Sequence, residues 1–450
     1  MNNRQFFCEK KNLKFLLDSK QSNILDSGKL DKILIKNQID LREINQIIKD
    51  NGKLYSFSKI NENFSKNLNK SKLTTKPKVL DLFCGAGGFS KGFDMSGFNI
   101  SHSIDVNKVF IKTHKINFKE SNSLSVDLNN FNPENLNLKK HYFDIIIGSP
   151  PCQTFSSVGQ GKIKSLNKNI KKDIRNYLYF NFIKFVNFFQ PKFFLLENVP
   201  GFKSKYNGEM FEDFIGKLKN MYDISSDQID AKNFNVPQSR KRLFIFGQLK
   251  TYKKKLMIFD GLNKIKNKNF TVNDAISDLP TITDDWRLDS LFYSKNSQLN
   301  DYQKKMRANT GTIVKNNICR VSNLEAKKLF SYLKPGEKYI ELNEEIRKKN
   351  NLLKNFKSKI IHQRIKRLPL KDISWTIIAH IGMDGYEYVH PIENRTLSVR
   401  EAARIQGFPD DFVFTGNMRE QYIQVGNAVS PLVSEYFANK IYNFIRSRSY

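Results

Sequence analysis

The sequence predicts an α/β protein with a doubly wound, mostly parallel sheet and a smaller second domain where that pattern stops. Three observations support this fold class. Short, continuous apolar runs alternate with helical patterns from Lys78 onward, a glycine-rich turn follows the first run, and a Pro-Pro-Cys triplet follows a later one. Continuous apolar runs are typical of strands that are buried on both faces of a parallel sheet.

The apolar runs mark the expected strands. They are KVLDLF (78–83), NISHSID (99–105), FDIIIG (143–148), FFLLENV (193–199) and RLFIFG (242–247). The alternation stops between residues 250 and about 390. Beyond it, Ser398 and Glu401 fit a capping box at the start of a helix that Gly407 ends. We expect a final helix after Asn427.

The composition favours a polyanionic partner. Lys and Arg number 75 against 44 Asp and Glu, a formal charge of +31 at pH 7. Such a surface attracts nucleic acid, although a chain rich in Lys, Asn and Ile also fits an AT-rich genome. The four cysteines form no CxxC pair, so we expect neither a metal site nor disulfides, and a reducing cytoplasm. Polar residues interrupt the most apolar stretch, 177–196, which excludes a membrane span.

The glycine-rich turn is a candidate nucleotide-type site. Gly85 and Gly87 let the backbone approach a ligand, and the helix that follows favours electronegative groups. Asp105 ends the next strand about 20 residues later, where an acid commonly holds ribose hydroxyls. Asp127 follows an expected third strand and suits an adenine amino group. The alternatives are a turn that binds nothing, a dehydrogenase site, which the spacing GAGG does not fit, and for Asp127 a helix cap.

Cys152 is a candidate nucleophile. It follows Pro150 and Pro151 directly after the expected strand 143–147, and open α/β sheets place their sites at such strand ends. The prolines stiffen the turn, and a thiolate held there is a good nucleophile if its pKa is lowered. A lone Cys is more often an inert core residue, but the two prolines at a strand end argue against that alternative.

Six motifs in order resemble those of the cytosine-5 DNA methyltransferases, in particular the bacterial restriction-modification type. They are DLFCGAGGFSKGF (81–93), GSPPCQTFS (148–156), ENV (197–199), QSRKR (238–242), RTLSVREAARIQGFPDDF (395–412) and QVGNAV (424–429). The resemblance covers residues 78–247 and about 377–441. It implies the S-adenosylmethionine-dependent methyltransferase fold and S-adenosyl-L-methionine as the cofactor.

The resemblance also implies the division of the chain. Residues 1–75 are an N-terminal extension of unassigned role, 76–249 the catalytic and cofactor-binding domain, 250–394 the target recognition domain, and 395–450 a supporting helix and a closing helix that return to the catalytic domain. His362, Gln363, Arg364 and Arg367 in the recognition region are candidate DNA contacts, with a solvated surface as the alternative.

The resemblance assigns the catalytic roles. Cys152 attacks carbon 6 of cytosine, because carbon 5 alone is too weak a nucleophile to take a methyl group. Glu197 stabilises the ring at nitrogen 3 and the exocyclic amine, which a pKa raised by burial would help. Arg240 and Arg242 hold the base oxygen or a phosphate and brace Glu197. The target base must leave the duplex, and the lysines of 153–172 suit a loop that closes over DNA.

The cofactor roles follow from the same motifs. The residues expected to bind S-adenosyl-L-methionine are Phe83 at the adenine, Gly85 and Gly87 in the turn, Asp105 on the ribose, Asp127 at the adenine amino group, Pro150 near the methionine end, and Asn427 and Val429 of the closing motif. The family usually has Glu where this chain has Asp105, and we expect the shorter acid still to reach a ribose hydroxyl.

We therefore expect a monomeric enzyme that acts on double-stranded DNA, with no membrane contact and with a cognate restriction endonuclease that acts on the same site. One alternative is a tRNA cytosine-5 methyltransferase of the same fold, but the Cys-Phe-Thr motif of those relatives is missing here and the long recognition region favours DNA. The other is a catalytically silent DNA-binding regulator, against which the intact motifs argue. The recognised DNA sequence is not encoded in any pattern that we can interpret.

Overall fold

The computed structural model describes residues 76–151, 178–262, 265, 268–282, 289–293, 298–349 and 364–447. The chain divides into two compact units, Met1–Thr74 and Thr75–Tyr450. The first unit and the whole N-terminal extension, residues 1–75, lie outside the described residues.

A seven-stranded sheet forms the centre of this unit. Its strands are β1 (Lys78–Leu82), β2 (Asn99–Asp105), β3 (Asn122–Ser125), β4 (Ile145–Gly148), β5 (Phe193–Asn198), β6 (Tyr222–Asp230) and β7 (Lys241–Leu249). They lie in the order β3-β2-β1-β4-β5-β7-β6. β1 to β5 pair in parallel, whereas β7 is antiparallel to both β5 and β6. The predicted fold class is confirmed, and β6 is a strand that the apolar runs did not indicate.

Helices cover both faces of the sheet and continue beyond it. They are α1 (Gly88–Met95), α2 (Lys108–Asn117), α3 (Tyr179–Phe189), α4 (Gly201–Ser204), α5 (Glu209–Leu218), α6 (Val272–Ile276), α7 (Asp301–Met306), α8 (Leu324–Ser331), α9 (Glu344–Lys349), α10 (Val399–Ile405), α11 (Met418–Asn427) and α12 (Pro431–Arg446). The capping box of Ser398 and Glu401 is present at the start of α10, as predicted. The expected final helix is α12.

Alternation along the strands divides the core into two layers. In β5, Phe193 and Leu195 pack on one face of the sheet with α1, α10 and α12, whereas Phe194 and Leu196 pack on the other face with α3 and α5. Successive side chains of a strand point to opposite faces, so both layers need apolar residues and the runs in the sequence become continuous. By the same parity, Glu197 faces the layer that contains α12.

Residues 250–394 contain short elements. β8 (Leu291–Phe292) and β9 (Ile313–Val314) form a two-stranded antiparallel sheet. A separate apolar cluster gathers around α8, with Leu329, Phe330 and Val389 among its buried members. No helix in the described part of the chain is long and apolar enough to span a membrane.

Candidate active site

The glycine-rich turn after β1 has an unusual backbone. Phe83, Gly85 and Gly87 all have positive φ angles, of 56°, 55° and 105°. Such a conformation is uncommon for a bulky residue and concentrates at functional sites. A Cβ built on Gly85 would meet nothing within 4 Å. The turn therefore leaves open space beside its backbone, as a ligand-binding turn requires, and Gly87 then caps the N-terminus of α1.

Asp105 organises this turn from the end of β2. Its Oδ2 accepts a hydrogen bond from the Gly85 amide at 3.0 Å, and its Oδ1 accepts one from the Asn107 amide at 2.8 Å. Burial raises the pKa of the Asp105 carboxyl, against these hydrogen bonds, which lower it. The shorter acid at this position thus contacts the turn itself. A ribose contact would use the remaining acceptor capacity of the same oxygens.

Asp127 lies beyond the end of β3, at the same edge of the sheet as Asp105. Its side chain is exposed, and its Oδ1 accepts a hydrogen bond from the Asn129 amide at 2.9 Å. Lys184 of α3 donates to the backbone oxygens of Leu128 and Phe131 in the loop that follows. The carboxylate is therefore accessible at a strand end, and it also caps the turn that follows it, which is not the helix that the alternative expects.

The proline turn reaches the carboxylate motif. Pro150 is buried directly after β4, and its carbonyl accepts a hydrogen bond from Asn198 Nδ2 at 3.4 Å. Asn198 is the residue after Glu197 in β5, and the sequence analysis assigns it no role. Cys152 and the loop 153–172 lie outside the described residues. The structure thus brings the turn that precedes Cys152 next to the strand that carries Glu197.

Glu197 is a buried carboxyl group, with 7% of the residue exposed. Its Oε1 lies 3.1 Å from Arg242 Nε. Strand parity explains this contact, because Glu197 pairs with Phe244 in the antiparallel register and Arg242 is two residues away on the same face. Burial raises the pKa of Glu197, and the positive charges of Arg242 and Arg240 oppose that rise. A buried carboxyl with these neighbours is suited to sharing a proton with a ligand.

Arg240 is directed into the protein. Its Nη1 donates to the Ile377 carbonyl at 2.7 Å, and its Nη2 donates to the carbonyls of Gly426 and Ala428, both at 3.1 Å. Its Nε finds no hydrogen-bond partner among the described residues. Arg240 and Arg242 therefore differ: the first mainly holds backbone segments together, and the second is paired with Glu197.

The closing motif completes a cleft beside Glu197. The cleft is lined by side chains from β5, β6 and β7 and from the start of α12, namely Glu197, Ile229, Ala231, Arg240, Arg242, Phe244, Val429, Ser430 and Val433. Val429 is buried, whereas Asn427 is exposed at the last position of α11. A Cβ on Gly88 would lie 2.4 Å from the Val429 carbonyl oxygen. The closing motif thus packs directly against the start of α1, beside the glycine turn.

A second buried acid lies below the turn. Asp81 of β1 is fully buried, its Oδ2 accepts a hydrogen bond from Ser90 at 2.6 Å, and its Oδ1 has no partner among the described residues. Burial raises its pKa to about 8. The continuous apolar run of β1 offers a signal for this burial, because Asp81 interrupts it on the same buried face as Val79.

One prediction in the recognition region is wrong. Arg367 is only 3% exposed, so it is not a DNA contact. Its guanidinium donates to the carbonyls of His390, Glu393 and Phe330 and to the side chain of Asn394. Buried backbone carbonyls need hydrogen-bond donors, which explains why Arg367 is directed into the protein. Arg364 is partly buried, and residues 362 and 363 lie outside the described residues.

Comparisons with known proteins agree with the fold. Residues 77–443 match the family model described as C-5 cytosine-specific DNA methylase. The chain is 32% identical over 390 residues to the type II methyltransferase M.DdeI of Desulfomicrobium norvegicum, which covers 81% of this chain and 88% of that protein. It is 34% identical over 324 residues to the type II methyltransferase M.Bpa9945I of Bacillus paralicheniformis, covering 67% of this chain and 71% of the relative.

A solved structure extends this likeness to the fold. It is that of a putative DNA modification methyltransferase encoded within a prophage (E. coli), with a TM-score of 0.65 and 26% identity over 82% of this chain and 99% of that one. The family model alone spans most of the chain and contains every motif described above. The chain therefore belongs to the C-5 cytosine-specific DNA methylase family.

Proposed function

We propose that this enzyme methylates carbon 5 of cytosine within a specific double-stranded DNA sequence, with S-adenosyl-L-methionine as methyl donor and with a covalent adduct between Cys152 and the base. One observation carries the proposal. The buried carboxyl of Glu197, whose pKa is raised and which lies 3.1 Å from Arg242, borders a cleft, and the next residue, Asn198, bonds the proline turn that leads to Cys152. A proton donor for the base and a sulfur nucleophile then come from adjacent strand ends.

The reaction follows from these two groups. The Cys152 thiolate forms a bond to carbon 6 of the cytosine, and Glu197 gives a proton to nitrogen 3, so that the electron pair is held at carbon 5 rather than as ring charge. Carbon 5 then takes the methyl group. A base removes the carbon-5 proton, the bond between sulfur and carbon 6 breaks, the thiolate leaves, and nitrogen 3 returns its proton to Glu197. Arg242 keeps the Glu197 carboxyl oriented and limits the rise of its pKa.

The residues around the glycine turn fit S-adenosyl-L-methionine, which supplies an electrophilic methyl group. The open space at Gly85 and the positive φ of Phe83 leave the backbone accessible to a ligand. We assign Phe83 and Asp127 to the adenine, Asp105 to the ribose, and Pro150 to the methionine end. Gly85, Gly87, Asn427 and Val429 complete this assignment as the walls of the same pocket.

The DNA must be distorted for this chemistry. Carbon 5 and carbon 6 of a stacked cytosine are out of reach, so the base has to leave the duplex. We assign residues 250–394 to reading the DNA sequence and the loop 153–172 to closing over the extruded base, where its lysines would contact phosphates. The formal charge of +31 favours such an encounter.

The biological setting is that of the relatives, which are named type II methyltransferases. We propose that this chain is the modification half of a restriction-modification system. Its methyl mark would protect host DNA from a cognate endonuclease that reads the same site. We place this activity in the bacterial cytoplasm and assign it to a monomer.

Methyl transfer from labelled S-adenosyl-L-methionine tests the function. The purified chain should label duplex DNA that contains its site and should not label tRNA. Bisulfite sequencing of DNA from cells that express the chain should then show modified cytosines within one short sequence. Label on tRNA alone would mean that the substrate is RNA. Unmodified DNA in both assays would mean that the chain is a DNA-binding protein without methyltransferase activity.

A further inference from the structure

A buried polar junction connects four separate segments of the chain beside the cleft. Its members are the side chains of Gln238, Arg240 and Gln406, which are 0%, 4% and 0% exposed. Buried amide and guanidinium groups are costly unless each polar atom has a partner. The partners here are mainly backbone atoms, so the junction fixes the course of the chain rather than the packing of side chains.

Gln238 joins the end of the recognition region to the supporting helix. Its Oε1 accepts a hydrogen bond from the Ile377 amide at 2.8 Å. Its Nε2 donates to Gln406 Oε1 at 2.6 Å and to the Ile405 carbonyl at 3.3 Å. Backbone hydrogen bonds between residues 237–239 and Ser374 continue the same contact. Residues 374–377, which return from the recognition region, are thus fixed on residues 237–239, which lead into β7.

Gln406 and Arg240 meet on the closing motif. Gln406 Nε2 donates to the Ala428 carbonyl at 2.7 Å, and Arg240 Nη2 donates to the same oxygen at 3.1 Å. This carbonyl immediately precedes Val429. It is therefore the point at which the junction holds residues 426–429.

The closing motif has little freedom to move once it is held there. A Cβ on Gly88 would lie 2.4 Å from the Val429 carbonyl, and a Cβ on Gly426 would lie 2.4 Å from the Ala379 amide nitrogen. The backbone of residues 426–429 is thus in contact with the start of α1 on one side and with the chain after Ile377 on the other. A small displacement of Ala428 would change the wall of the cofactor pocket.

We infer that Gln238 and Gln406 are positioning residues, which hold residues 426–429 against the glycine turn and so set the affinity for the cofactor. The inference rests on the proposed function, because it takes S-adenosyl-L-methionine as the ligand of that turn. Gln406 touches no ligand atom in this scheme. It acts through the Ala428 carbonyl, and Gln238 acts through Gln406.

Gln406→Leu tests the inference, because leucine has nearly the same size and offers no donor. Loss of the hydrogen bond to a buried carbonyl should weaken binding of S-adenosyl-L-methionine by roughly tenfold, measured by calorimetry on the full chain. The catalytic rate constant at saturating cofactor should change much less than the KM for the cofactor. Gln248→Leu is the matched control. Gln248 is 3% exposed and bonds the backbone of Lys254 and Leu256 at the far end of β7.

Gln406→Glu adds a readout that a purely structural role would not produce. Burial should raise the pKa of the new carboxyl against the opposing charge of Arg240, whose Nη2 bonds the same carbonyl, and only the protonated form can donate to the Ala428 carbonyl. Cofactor affinity relative to the unmodified chain should therefore recover as pH falls from about 9 to about 6. Gln406→Leu should show no such recovery.

The outcomes separate the two proposals. If the unmodified chain binds no S-adenosyl-L-methionine, the proposed function itself fails. If it binds the cofactor but Gln406→Leu binds as tightly as Gln248→Leu, the positioning role is refuted and the function stands. The same conclusion follows if the affinity of Gln406→Glu is independent of pH, or if Gln406→Leu lowers the rate constant alone.

Discussion

The fold shifts the pKa values of two buried glutamates in opposite directions. Replacing each of them with glutamine tests the catalytic role that we assign to Glu197. Glu197 has its pKa raised by burial. Burial also acts to raise the pKa of Glu401, but the charges of Arg395 and His390 together with the hydrogen bonds from Arg395 and Ser398 outweigh it and give a pKa of about 2. Arg395 donates to both carboxylate oxygens of Glu401, at 2.7 and 2.8 Å. We expect Glu401→Gln to impair folding, and Glu197→Gln to impair catalysis.

The stability effect can be calculated from the pKa shift. For Glu401 the shift from 4.5 to about 2 corresponds to about 3 kcal/mol of unfolding free energy, at about 1.4 kcal/mol per pKa unit. A lowered pKa stabilises the fold above the unfolded value, and this contribution is lost as pH falls towards 2. A raised pKa has the opposite sign, so Glu197 costs stability as pH rises through its folded pKa. Glu197→Gln removes that cost, so it should leave the free energy of unfolding at pH 7 unchanged or slightly higher.

The catalytic effect has a different size. Gln at 197 keeps an acceptor for Arg242 but cannot give a proton to nitrogen 3 of the base. Loss of such a transition-state contact typically lowers the rate by about 10²- to 10³-fold. Urea unfolding at pH 7 and labelled-methyl transfer at saturating substrates measure the two effects separately. Our reasoning is refuted if Glu197→Gln destabilises the chain as much as Glu401→Gln, or if its transfer rate stays within about fivefold of normal.

Three other substitutions test the surroundings of the site. Gly88→Ala puts a Cβ 2.4 Å from the Val429 carbonyl, so both the melting temperature and cofactor affinity should fall; an unchanged affinity would mean that the closing motif does not form the pocket wall. Asp81→Asn should abolish a loss of stability that the unmodified chain shows as pH rises through about 8, in unfolding curves at pH 6 and 9; parallel curves for the two proteins would contradict this. Arg404→Met strips the buried carboxylate of Asp410 of its bidentate partner and should cost about 3–5 kcal/mol in urea unfolding, whereas a loss below about 1 kcal/mol would mean that the pair is dispensable.

Most of the strands were predictable because a strand that is buried on both faces consists of a continuous run of apolar residues. Runs such as 143–148 contain apolar residues for both layers of the core, and β4 lies within that run. β6 escaped prediction because it is an edge strand whose middle residues, around Ser226, are partly exposed and polar. The antiparallel direction of β7 escaped it as well, since an apolar run has no direction. The edge position of β6 and the direction of β7 both depend on the order of the strands in the sheet, which a local pattern does not contain.

The site was predictable where the motif is local and less so where it depends on distant partners. Glu197 and Arg242 lie together as expected, because neighbouring strands bring them to the same face. Arg240 and Arg367 were both expected to contact ligands, but each donates chiefly to backbone carbonyls. The partners of Arg240 lie more than a hundred residues along the chain, so no local pattern indicates them.

Covalent trapping on DNA tests the central claim most directly. A duplex that contains the recognised site with 5-fluorocytosine at the target lacks the proton that must leave carbon 5, so the bond between Cys152 and carbon 6 cannot be released after methyl transfer. With S-adenosyl-L-methionine present, we predict a complex that survives denaturing electrophoresis and whose mass equals the sum of protein, DNA and one methyl group. Cys152→Ser should form no such complex. A failure of the unmodified chain to be trapped, while it still methylates ordinary cytosine in the same site, would contradict the account.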